Sequence, residues 1–325
     1  MQSAAGWDWV APVSDRNTGL WDRVSLGLTF GEHSPSTTES DITRPDVKTG
    51  SYPCAAPRMI LTNPAVFTEE LLRDSNSSTD QPGSSGARLR AVVSVLNLAN
   101  AAYACELEVQ VSIRHESSEL ERDEAQPIIT ESSKIYSVPP IRAALGTETE
   151  LSLDLFLAPK DLTLWWPHTF LGDDSDTTGP GLTRRPHLYT AIFSLRNPSA
   201  ATLVYHSTSL AFGVRAVDSF YDETIQARAF TVNGKPLYIE GGNWITTDAM
   251  LRFATDRERY REEVALHVAM GLNLIRVWGG GITETRGFYD ACDRAGIFVY
   301  QEFWMTGTLL VVYFLLCNFL MTPRD

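Results

Sequence analysis

The sequence is poor in the residues that bind metals or cross-link a chain. Its 325 residues include four cysteines, Cys54, Cys105, Cys292 and Cys317. None stands in a CxxC or a Cys/His ligand spacing, so they read as scattered core or surface thiols. The six histidines are equally dispersed, and no metal site is indicated. Positive charge is also scarce. Lys and Arg total 27 against 40 Asp and Glu, a net charge of −13. No basic cluster appears, which excludes a nucleic-acid role, because phosphate binding needs clustered Lys and Arg. The N-terminus MQSAAGWDWV lacks both a basic region and an apolar core, so it is not a signal peptide, and the compartment stays open. One long apolar run, Leu309 to Met321, stands near the C-terminus. As a helix it would reach about 20 Å against a hydrocarbon core of about 30 Å, and Asn318 interrupts it, so a membrane span is not expected.

What is present is an ordinary globular composition, 43% hydrophobic and 21% charged, in a chain long enough for two domains or slightly more. Three regions separate. Residues 1–50 open on aromatic and turn residues, with a strand-like alternation at Val24–Phe30, and run into a polar, Pro-rich linker. Residues 58–218 look all-β. LRAVVSVLNL and CELEVQVSI alternate cleanly, and ELSLDLFL, LYTAIFSL and TLVYHSTSLAFGV follow, separated by turn residues. That pattern suggests an immunoglobulin-like β-sandwich without the Cys…Trp…Cys spacing of antibody domains.

From Arg228 the period changes. PLYIEGG reads as a strand. Thr255-Asp256-Arg257-Glu258 reads as a capping box opening a helix that runs to Met270 and ends at Gly271. LNLIRVW is a second strand, FYDACDRAG a second helix, and IFVYQEF a third strand. This β-α-β-α-β order predicts a parallel sheet with crossover helices, the start of a (β/α)8 barrel over 228–307. Each strand ends in polar or aromatic residues: Asn243 and Trp244, Arg276 and Trp278, Gln301 and Glu302. In such barrels the C-terminal strand edge carries the site. Indoles stack on the apolar faces of sugar rings, while amides and carboxylates bond the hydroxyls. Trp244, Trp278 and Trp304 are the stacking candidates; Asn243, Asp248 and Glu302 are the hydroxyl partners. Glu302 is the one carboxylate at these strand ends, and pairing with Arg276 is its alternative role.

The motifs GWDWVAPVSDRNTGLWD, LWWP, FGVRAV, FTVNGKPLYIEGGNWITTDAMLR, MGLNLIRVWGGG and FYDACDRAGIFVYQEFWMTG together resemble the β-mannosidase group of glycoside hydrolase family 2. The resemblance is closest to its mannosylglycoprotein endo-β-mannosidase branch. It implies a multidomain β plus α/β architecture. Residues 1–50 would be the remnant of a jelly-roll sugar-binding domain, 58–218 the immunoglobulin-like sandwich, and 228–307 the first three strands of a TIM barrel. It implies retaining hydrolysis of a β-mannoside, such as an N-glycan core, by two Glu residues with no cofactor. Trp7 and Asp8 would bind the terminal sugar, Trp278 would line the pocket, and Asn243, Trp244, Arg276 and Glu302 would shape or brace it. The family's acid/base and nucleophile follow its fourth and seventh strands. The expectation is therefore no catalytic residue in this chain, with both carboxylates lying beyond Gly307. At Thr308, where the family continues with Asp, the resemblance stops, and 308–325 reads as unrelated sequence following a break in the coding frame. The chain is expected to be an inactive fragment truncated at both ends. The alternatives are a non-catalytic carbohydrate-binding or interaction module and, more remotely, a module tethered by the apolar run.

Overall fold

The computed structural model describes residues 59–73, 85–97, 105–116, 128–138, 147–170, 186–198, 200–245, 247, 257–279 and 284–303. These fall into two compact units. One holds the described residues up to Trp165 together with His187–Pro236, and the other holds those of 166–186 and 237–303. The expectations for 1–50 and 308–325 lie outside the described residues.

The first unit is a β-sandwich. Strands β1 (Met59–Leu71), β2 (Ala87–Asn97) and β5 (Thr147–Leu157) form one sheet in the order β1-β2-β5. Strands β3 (Cys105–His115), β4 (Thr130–Val138), β6 (Tyr189–Asn197) and β7 (Ala200–Phe212) form the other, in the order β4-β3-β6-β7. The pairings are antiparallel. Alternation explains the fold: side chains two apart share a face, so one face of each strand can be wholly apolar. In β2 that face is Leu89, Ala91, Val93 and Val95; in β3 it is Leu107, Val109, Val111 and Ile113. They meet Leu151, Leu153, Leu155 and Leu157 of β5 and Tyr189, Ala191, Phe193 and Leu195 of β6 in one continuous core. Burying each large side chain is worth about 1.5–3 kcal/mol, so this core is the unit's main support.

Strands β1 and β4 have no counterpart in the sequence reading. Both are edge strands. Strand β1 carries a bulge between Thr62 and Ala65, around Asn63 with φ of 50° and Pro64. An edge tolerates proline and a bulge because one side of it forms no ladder, and the alternation that would advertise the strand is lost.

Two of the sequence motifs converge in this unit. Trp165 of LWWP is 1% exposed. The Arg215 guanidinium lies 4.7 Å over its ring, and a Cβ on Gly213 would come within 2.7 Å of its atoms. Asn233 Nδ2 donates to the Trp165 carbonyl at 3.0 Å. Thus FGVRAV wraps the indole, and the glycine is required by close approach.

Strands β8 (Val217–Asp222), β9 (Ala227–Val232) and β10 (Lys235–Leu237) make a small meander. Asn233 and Gly234, with φ of 49° and 77°, form the turn between β9 and β10. Asn-Gly is a strong hairpin signal, since both central residues must take positive φ. The sequence reading placed Arg228 onward with the parallel sheet. In the structure the stretch up to Pro236 groups with the sandwich unit.

The second unit is a parallel sheet of β11 (Gly241–Trp244), β12 (Leu274–Val277) and β13 (Phe298–Gln301), in that order. Helices α1 (Arg257–Ala269) and α2 (Arg286–Ala295) connect the strands. The first strand is GGNW rather than PLYIEGG. Buried Asn273 holds the preceding bend: its Nδ2 donates to the Tyr238 carbonyl at 2.8 Å, and its Oδ1 accepts from Glu240 N at 3.0 Å. Gly271 (φ 78°) and Gly296 (φ 73°) follow the two helices as left-handed caps. The capping box at Thr255 lies outside the described residues. His168, in the PHTF segment, donates its Nε2–H to the Leu272 carbonyl at 2.7 Å and its backbone N–H to the Gly296 carbonyl at 3.1 Å. It thereby ties the turns that follow both helices.

Candidate functional site

The parallel register sorts the strand-end residues onto two faces. Asn243 lies beside Arg276 and Tyr300, while Trp244 lies beside Val277 and Gln301. One position of shift along a strand reverses the face. The second set faces the helices. Trp244, Ile275 and Val277 pack with Tyr260 and Val264 of α1 and with Phe288, Ala291 and Cys292 of α2. The first set stands on the open face, where Asn243 and Tyr300 are exposed and Arg276 is partly so.

On that open face a charged cluster is assembled. Arg276 donates from Nε and Nη2 to Glu302 Oε1, at 3.0 and 2.5 Å. Its Nη1 donates to Asn243 Oδ1 at 2.7 Å. Glu302 Oε2 accepts the Gly279 backbone N–H at 2.9 Å. That amide and the Arg276 guanidinium hold the Glu302 carboxyl below its ordinary range, so it stays ionised at neutral pH. An anion stabilised in this way is a poor proton donor. Trp278 is half-buried next to the cluster in sequence, with its backbone N–H donated to the Trp244 carbonyl at 3.0 Å. Tyr289 donates its hydroxyl to Gln301 Oε1 at 2.8 Å, and Gln301 Nε2 donates to the Glu302 carbonyl at 2.7 Å.

The sequence reading grouped Trp244 with the sugar-stacking indoles. The structure separates it from them. The residue is 7% exposed, and its ring centroid lies 4.9 Å from that of Phe288 and 5.7 Å from that of His267. Its Nε1–H donates to Glu284 Oε1 at 2.9 Å. Tyr260 donates its hydroxyl to Glu284 Oε2 at 2.5 Å. Burial pushes the Glu284 carboxyl up, and these two donors only partly offset it. The same burial, with Glu284 beside it, pushes the Tyr260 phenol up. Sequence reasoning missed this triad. Glu284 sits in GITET with no periodic neighbour, and nothing in a linear reading assigns a lone Glu to the interior.

The structure therefore brings together Asn243, Arg276 and Glu302, with Trp278 adjoining, and sets Trp244 behind them. Trp7, Asp8, Asp248 and Trp304 lie outside the described residues. Among the described residues, no group of three or more His, Cys, Asp or Glu side chains is placed to hold a metal ion. Chemically, the cluster offers an amide, a guanidinium and a carboxylate to hydroxyl-bearing ligands. Retaining glycoside hydrolysis needs two carboxyls about 5–5.5 Å apart across the bond. Among the described residues, the Glu302 carboxylate on this face is held by Arg276 and the Gly279 N–H, and Glu284 is turned to the other side.

No family model matches the chain. Among curated proteins, it is 30% identical over 308 residues to the mannosylglycoprotein endo-beta-mannosidase of Lilium longiflorum, a match covering 94% of this chain and 25% of that protein. It is 37% identical over 146 residues to the beta-mannosidase B of Neosartorya fischeri, covering 44% of this chain and 15% of that one. Among solved structures, the beta-D-mannosidase from Dictyoglomus thermophilum superposes with a TM-score of 0.53 at 23% identity, over 76% of this chain and 24% of that one. A Bacteroides uniformis beta-glucuronidase gives 0.53 at 19% identity, over 76% and 24%. These two structures share the fold. The chain spans a quarter or less of the length of the relatives it matches.

Proposed function

The chain is a homologue of the β-mannosidase group of glycoside hydrolase family 2, and from that premise we propose that it is part of a β-mannoside hydrolase and carries one wall of the sugar pocket. The observation that carries the reading is the alignment of 308 residues at 30% identity, through both units, to a glycosidase. In this reading the sandwich is the family's immunoglobulin-like domain, and β11–β13 with their helices are the first strands of a (β/α)8 barrel. Residues 1–50 belong to the jelly-roll domain. The open face of the sheet is the barrel interior. Asn243 and Arg276 bond sugar hydroxyls there, Trp278 stacks on a ring, and Trp7 and Asp8 hold the terminal sugar. The substrate is a β-mannoside, the N-glycan core being the leading candidate.

Hydrolysis requires a proton donor to the leaving oxygen and a carboxylate nucleophile at the anomeric carbon. In the family's pattern both follow later strands than the three described here. The 325-residue chain by itself is therefore expected to turn over no 4-nitrophenyl β-D-mannoside. Release of nitrophenol above the buffer rate by the purified chain overturns this.

A second reading, a non-catalytic carbohydrate-binding module, is favoured by Glu302, whose two oxygens already accept from Arg276 and Gly279. Titration with mannose or mannobiose, followed by tryptophan fluorescence, separates the two. Saturable binding without turnover supports the module, and no response removes it.

A further inference from the structure

We propose that Tyr300 is a substrate-binding residue whose ring stacks on the sugar at the open face of the parallel sheet, in the part for which the sequence nominated Trp244; the proposal rests on reading that face as a mannoside site. In the sequence Tyr300 is inconspicuous, one position inside IFVYQEF before Gln301 and Glu302.

Its direction follows from its neighbours. Successive side chains of a strand leave on opposite faces. Val299 packs against the helix-side core, and Gln301 accepts the hydroxyl of Tyr289 in α2 at 2.8 Å. Both flanking residues turn to the helices, so Tyr300 turns away from them. Arg276 is set the same way in β12, between Ile275 and Val277 of the helix-side core. Asn243 precedes Trp244, which belongs to that core as well. The register then aligns the three, Asn243 with Arg276 and Arg276 with Tyr300. They form one row across the open face, with strands about 4.8 Å apart. Glu302 stands two positions beyond Tyr300 on the same side, as its bonds to Arg276 require.

Without Tyr300 this row is wholly polar. Arg276 gives N–H groups to Glu302 and to Asn243, and Asn243 spends its Oδ1 on Arg276. The Asn243 Nδ2 is left to donate to a ligand hydroxyl. Such groups grip the rim of a sugar ring and leave its C–H face uncovered. Trp244 cannot cover it, since its ring packs among the helices and its Nε1–H is bonded to Glu284. Tyr300 is 55% exposed at the end of the row. An aromatic surface beside a few fixed polar groups suits an amphipathic ring, with donors at the rim and the π-face against the C–H bonds.

The test uses the full chain labelled with 3-fluorotyrosine and titrated with mannose. The resonances of Tyr300, Tyr260 and Tyr289 are assigned by their loss in the corresponding Tyr→Phe variants. The Tyr300 resonance is expected to shift saturably, while Tyr260 and Tyr289, on the helix side, stay in place. Tyr300→Phe keeps the ring and should bind mannose within about threefold of the unaltered chain. Tyr300→Ala should bind about tenfold more weakly, the loss of one stacking contact, with the far-ultraviolet circular dichroism unchanged. Mannose binding, followed by tryptophan fluorescence, with either the Tyr300 resonance unmoved or Tyr300→Ala as tight as the unaltered chain overturns the proposal alone and leaves the mannoside reading in place. Absence of binding by the unaltered chain removes that reading and the proposal with it. Should Tyr300→Ala not fold, the fluorine titration of the unaltered chain decides.

Discussion

In the sandwich, both sheets turn an apolar face inward and the two faces cover each other. Polar residues there are pushed to the outer faces and edges. In the parallel sheet, the helices cover one face, and even that side admits a carboxylate, a phenol and an indole N–H bonded to one another. Its other face presents Asn243, Arg276 and Tyr300. Parallel sheets normally bury both faces and read as continuous hydrophobic runs. Strand β12, Leu-Ile-Arg-Val, alternates in burial instead. The contrast lies in where polarity sits: between the two sandwich sheets the core is apolar, with the Tyr189 hydroxyl bonded at its edge to the Asp161 carbonyl, whereas the helix side of the parallel sheet holds an ionisable carboxylate among its apolar residues.

Substitutions in each unit test this contrast. The largest effect is expected in the sandwich. Phe193 is fully buried, and Phe193→Ala should cost about 3–5 kcal/mol, read as a lower denaturant midpoint. A loss below about 1 kcal/mol would mean that this core repacks easily. Next, Tyr260→Phe removes one donor from a buried carboxylate, and the chain should lose about 1–3 kcal/mol despite an almost unchanged volume. No loss would mean that Glu284 is neutral or re-partnered.

The smallest effect is a pH dependence confined to the sandwich. His187 and His115 are hydrogen-bonded, Nε2 to Nδ1, at 3.0 Å. Burial, then the neighbouring His115, lowers the His187 pKa to about 4 from an ordinary 6.5. Below pH 6.5 the unfolded chain takes up a proton that the folded one refuses, so stability falls as pH drops from 6.5 towards 4. His187→Gln should flatten that slope when midpoints at about pH 7 and about pH 4 are compared. An equal slope in the variant assigns the dependence to other groups.

The clearest strands were legible because their burial is one-sided. Leu107, Val109, Val111 and Ile113 alternate in the sequence and are all buried on one face. Strand β1 was not legible, since Pro64 and the bulge at Asn63 interrupt its alternation. The helices around Tyr260 and Phe288 were legible from period and from the glycines that cap them. Asn243, Arg276 and Glu302 were recognisable as strand-end residues, and their union is a matter of register. Trp244 shows the limit. In GGNW the run is too short for periodicity to say which of two neighbouring residues faces the helices.

The alternation of β2, β3, β5, β6 and β7, the helices with their glycine caps and the kind of residue at each strand end were all written in the sequence, because they follow from local geometry. Only the tertiary structure decided which face each strand-end side chain took and which partner satisfied it. Parallel pairing placed Asn243 beside Arg276 and turned Trp244 to Glu284. Those choices depend on register between strands about 30 residues apart, and a linear pattern does not encode register where strands are only a few residues long.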